Sequence, residues 1–174
     1  LAAPLAAKQQ QPIDQEYTAK IREYLQDPRI STELVDHLPA HPTIPTPLKF
    51  FGRIVGTPGE LTYAADIHRY YQALDAASDR VKVWKIGTSE EGRDMYVLAV
   101  ADEATIRDLD RYRGYLKELT DPRRTSEARA RELIQTAKPI YWVTTGLHSG
   151  ETGGPEMVME LAYRLAVSDQ PLIK

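Results

Sequence analysis

Ile140-Tyr141-Trp142-Val143-Thr144-Thr145-Gly146-Leu147-His148-Ser149-Gly150-Glu151 is the stretch on which the reading of this chain turns. Its first six residues form an unbroken β-branched and aromatic run. Such a run fits a strand covered on both faces, as in a parallel or mixed sheet. Gly146 ends it, and Gly150, Gly153 and Gly154 continue a loop whose small residues let the backbone turn tightly. Pro155 and Glu156 then open a helical pattern, with Met157, Val158, Leu161, Ala162 and Leu165 as the expected buried face. Strand, loop and helix in this order put His148 and Glu151 beyond the carboxyl end of a strand, where open α/β sheets bind ligands. An imidazole nitrogen and a carboxylate oxygen are both ligand types that zinc accepts in hydrolytic sites. The same letters also suit a hydrogen-bonded loop histidine and a glutamate capping the next helix.

Upstream, Asp14 can cap a helix over about 15–26 that carries Tyr17, Ile21, Tyr24 and Leu25 on one stripe. Pro39, Pro42, Pro45 and Pro47 mark an extended linker. Thr57-Pro58-Gly59-Glu60 predicts a helix start, with a helix over about 61–77 burying Tyr63, Ile67, Tyr70 and Leu74. Val81–Ile86 and Met95–Ala101 read as an antiparallel pair joined by a polar connection. Residues 103–119 and 126–137 read as charged amphipathic helices, the first with Leu109, Tyr112, Leu116 and Leu119 inward.

The bulk numbers narrow the function classes. A chain of 174 residues with 42% hydrophobic and 27% charged residues fits one globular domain. A net charge of −3 offers no basic field for phosphates and argues against nucleic acid as a partner. No apolar run approaches the roughly 20 residues of a transmembrane helix. With no cysteine, thiolate catalysis and zinc–thiolate sites are excluded, so a zinc site here must use His, Asp, Glu and water. Leu1-Ala2-Ala3-Pro4-Leu5-Ala6-Ala7 followed by polar residues reads as the tail of a signal peptide or a disordered arm, over residues 1–12. The first reading implies a secreted or periplasmic protein.

Two segments resemble the zinc carboxypeptidases related to carboxypeptidase A. Gly146-Leu147-His148-Ser149-Gly150-Glu151, with Gly154-Pro155-Glu156 and a helix behind it, is similar to that family's zinc-ligand segment. Gly87-Thr88-Ser89-Glu90-Glu91-Gly92-Arg93 is similar to its hairpin signature, and the two occur in the family's order. The resemblance spans about Thr57 to Asp169. It implies a three-layer α/β/α fold with a mixed, mostly parallel sheet. It implies Zn²⁺ as cofactor, His148 and Glu151 as the first two of three protein ligands, and a peptide or protein substrate. It places the third ligand, the general base and the substrate-holding residues beyond residue 174. The expected organisation is an N-terminal helix and Pro-rich linker over 13–49, then the first part of a catalytic domain over 50–174. Digestive members often carry Arg where this chain has Gly150, which leaves side-chain preference open.

The activity implied is release of a C-terminal residue from a peptide. An amide-bond deacylase or cell-wall peptide hydrolase on the same zinc site, and a non-catalytic binding module, are the alternatives; residues beyond 174 discriminate among them. His37 and His41 have a ligand-like spacing, but Pro39 and Pro42 deny them a common helical face. His68 reads as a surface or packed helix residue.

Overall fold

The computed structural model describes residues 11–171 and Ile173. The cleavage point near Ala7 lies outside the described residues. Helix α1 (Gln15–Tyr24) starts where expected, with the Asp14 carboxylate accepting the Tyr17 N–H. A short 3₁₀ turn, Pro28–Ile30, follows it. The proline-rich segment runs into α2 (Pro47–Phe51). Its prolines lack N–H groups, so burying it leaves mainly carbonyls to satisfy. Tyrosines do this: Tyr163 Oη donates to the Pro39 carbonyl and Tyr70 Oη to that of Pro45, each at 3.0 Å. Leu38, Ile44, Thr46 and Pro47 are buried, so the segment packs against the core along its length.

Helix α3 (Ala64–Ala77) buries Ile67, Tyr70 and Leu74 as expected. It starts three residues late, because Thr57–Glu60 closes a turn of its own in which the Glu60 N–H bonds the Thr57 carbonyl. Tyr63, expected in the core, becomes the helix cap and is 81% exposed. Strands β1 (Val81–Thr88) and β2 (Asp94–Val100) form the expected antiparallel hairpin, with Val81 opposite Val100 and Val83 opposite Leu98. Val81 and Val83 point inward while Lys82 and Trp84 face out, the period of two of a half-buried strand. The predicted helix over 103–119 is two pieces, α4 (Glu103–Arg107) and α5 (Leu109–Leu119). Asp108 interrupts them; aspartate competes for backbone groups inside a helix and favours a cap position. Helix α6 (Glu127–Thr136) is capped by Ser126 and packs against α5.

Helix α7 (Gly153–Val167) packs on α3 and touches β2. Its buried face is Glu156, Met159, Ala162, Tyr163, Ala166 and Val167, a stripe turned away from the expected one. The helix is apolar on most sides, so periodicity did not fix which side meets the core, and Met157 lies exposed. The core joins Tyr17, Leu38, Ile67, Tyr70, Leu74, Val81, Met159 and Tyr163. Burial pushes the hydroxyls of Tyr17, Tyr70 and Tyr163 far above the ordinary tyrosine range, and that of Tyr71 up to about 12.

The strand expected over 140–145 is the main departure. Among the described residues the only sheet is the β1–β2 pair, and Ile140–Thr145 bonds to no neighbouring strand. A strand exists only as half of a pair, however strong its local preference. The architecture is therefore α/β with a two-stranded antiparallel sheet among the described residues. Ile140, Tyr141 and Trp142 are 67%, 93% and 65% exposed. Unpaired backbone beside apolar side chains templates association. The chain is expected to self-associate with rising concentration, and Trp142→Lys to reduce this in size-exclusion chromatography. A monomer at all concentrations would contradict the expectation. No helix among the described residues is long and apolar enough to cross a membrane.

Candidate metal centre

The loop that carries His148 and Glu151 is closed by two glycines. Gly146 has φ +69°, the left-handed region, and a Cβ there would stand 2.8 Å from Pro155 Cγ. A Cβ on Gly154 would stand 2.7 Å from Thr145 Cβ. The end of the 140–145 run thus lies directly on the first turn of α7, and only glycine permits that approach. Between these contacts the chain turns sharply, with the Glu151 N–H donating to the His148 carbonyl at 3.0 Å.

That turn brings both side chains to one point. His148 Nδ1 lies 2.8 Å from Glu151 Oε1, and the His148 N–H donates to Glu151 Oε2 at 3.2 Å. The two hydrogen bonds from His148, first its side chain and then its backbone, hold the Glu151 carboxyl below the usual carboxylate range. Both side chains are more than half exposed, at 74% and 55%. The pair is therefore open to a ligand from solvent. Thr152 gives α7 no side-chain cap, which leaves the positive end of the helix beside the carboxylate.

The donors fit zinc in kind: one imidazole nitrogen and one carboxylate oxygen, aimed at each other. In number they are two, and among the described residues no group of three or more His, Asp and Glu side chains is placed to hold a metal ion. The other histidines stand elsewhere. His37 bonds its neighbour Asp36, and His41 Nδ1 accepts the N–H groups of Thr43 and Ile44. His68 packs at a tilt against Tyr96, with ring centroids 4.8 Å apart. Burial lowers the pKa of His41, helped by Lys49, and burial lowers that of His68 against the opposing charge of Asp94.

One feature beside this loop is absent from the sequence reading. Glu156, on the first turn of α7, is buried and gathers hydrogen bonds from Arg53, Gly56 and Thr62. The signal was its spacing: Glu156 falls three residues before Met159 and seven before Tyr163, in line with the buried stripe.

A family model described as zinc carboxypeptidase matches residues 67–174. The chain belongs to the zinc carboxypeptidase family. No curated protein and no solved structure matches it.

Proposed function

We propose that this chain supplies the first two zinc ligands, His148 and Glu151, of an exported metallocarboxypeptidase that releases the C-terminal residue of a peptide or protein. The observation that carries the reading is the 2.8 Å approach of His148 Nδ1 to Glu151 Oε1 on a glycine-closed loop. Zinc held there supplies Lewis acidity toward a carbonyl oxygen. The chain's own part is to present a carboxylate that stays ionised near neutral pH and an imidazole oriented by it. A third protein ligand and a general base would come from residues beyond 174. The exposed run at 140–143 supports the same reading, since it has the composition of an inner strand of the larger mixed sheet in a three-layer fold. Residues 13–49 are read as the helix and Pro-rich segment that precede the catalytic domain at 50–174, and the Ala-rich start as a leader remnant.

The test is release of the last residue from C-terminally unblocked peptides. The 174-residue chain with added zinc is expected to show no release above background, for want of a third ligand and a base. A chain extended beyond Lys174 is expected to release single C-terminal residues, and to lose this on Glu151→Ala. Cleavage within the peptide, or chelator-sensitive release by the 174-residue chain, would contradict the reading.

A further inference from the structure

We propose that Glu156 is a positioning residue for the metal-binding pair, holding the His148–Glu151 loop through the first turn of α7. The inference rests on the reading of His148 and Glu151 as zinc ligands. Glu156 is 6% exposed, although it carries a carboxylate. A buried charge is tolerated only when its oxygens are satisfied and its charge is met. Here Oε1 accepts the Thr62 N–H at 2.8 Å, while Oε2 accepts the Gly56 N–H at 3.3 Å and Arg53 Nη1 at 3.4 Å. Arg53 in turn donates to Thr62 Oγ1. One side chain therefore ties the 53–62 segment to the helix start.

The residues between Glu151 and Glu156 are fixed from both sides. The Glu156 N–H donates to the Thr152 carbonyl at 3.3 Å. Gly154 and Pro155 close on Thr145 and Gly146. Glu151 itself is exposed, and among the described residues no side chain other than His148 bonds its carboxylate. The rigidity it needs as a ligand must come through the backbone of the turn that Glu156 anchors. Glu160, one helical turn further on, offers a contrast. Its carboxylate accepts Tyr17 Oη and pairs with Arg164, so it ties α7 to α1 and reaches the 53–62 segment only through Tyr17, whose oxygen accepts the Val55 N–H at 3.4 Å.

The experiment measures zinc affinity of the chain extended beyond Lys174 by competition with a chromophoric chelator, and amide hydrogen exchange without metal. Removing a group bonded directly to a metal ligand typically costs about 10–100-fold in affinity, and losing Glu156, which acts through the backbone and touches neither ligand, is expected to cost less. Glu156→Gln is expected to weaken zinc binding severalfold, by about tenfold at most, and to speed exchange at the His148 and Glu151 amides. Glu160→Gln is expected to leave both unchanged. Unaltered zinc affinity in a folded Glu156→Gln variant would overturn the inference, as would equal losses in the two variants. If Glu156→Gln fails to fold, the double variant Arg53→Met/Glu156→Gln carries the test, since it leaves no buried charge unpaired; weaker zinc binding supports the inference and unaltered binding overturns it. His148→Ala separates the two levels. Should it lose zinc while Glu156→Gln does not, the positioning role alone fails. Should it keep zinc, the ligand reading fails and takes the positioning role with it.

Discussion

In a chain extended beyond Lys174, alanine at His148 or at Glu151 is expected to weaken zinc binding by well over the roughly tenfold that an outer partner costs, because the two protein ligands that remain hold zinc poorly. Metal analysis after dialysis against limiting zinc reads this directly. Full occupancy in both variants would contradict the assignment. The pH dependence has a definite sign. Glu151 is held below the usual carboxylate range, so it stays ionised and available as the solution is acidified toward pH ~5. A histidine ligand must be neutral, and protons compete with the metal below roughly pH 6.5. Affinity is therefore expected to fall between about pH 7 and 5, and the fall to vanish in His148→Ala along with the binding.

Gly146→Ala is expected to produce the largest loss of stability among single changes in the loop. The left-handed backbone at φ +69° costs an alanine roughly 1–2 kcal/mol. The added methyl would stand 2.8 Å from Pro155 Cγ, an overlap that typically costs a further 1–3 kcal/mol or so. Gly59→Ala separates the two effects, since Gly59 has φ +78° with nothing within 4 Å of a Cβ. Chemical denaturation should show Gly146→Ala destabilised by more than Gly59→Ala. Equal midpoints would mean that the loop moves off Pro155 without penalty. Zinc affinity should fall in Gly146→Ala and hold in Gly59→Ala.

Local features of this chain were legible from its residues. Asp14 and Ser126 announce helix starts through their side chains, and the alternation of Val81 and Val83 with Lys82 and Trp84 announces a strand. The glycines around His148 announce a tight loop. What was not legible depends on contacts distant in sequence. Ile140–Val143 has a strand's composition, yet its pairing depends on which neighbour lies beside it. The apolar residues of α7 surround the helix, so the choice of Met159 and Tyr163 over Met157 and Leu165 was made by α3 and the proline-rich segment. The buried Glu156 escaped notice because its three donors come from Arg53, Gly56 and Thr62, about a hundred residues earlier.

The most direct test of the metal pair is a zinc titration near neutral pH, followed by long-range proton–nitrogen correlation of the four imidazoles. Nδ1 of His148 is the nitrogen that faces the Glu151 carboxylate, 2.8 Å away. It is predicted to shift on metal binding, with His37, His41 and His68 unmoved. An unmoved His148, or a shift confined to the other three, would contradict the assignment of the zinc ligands.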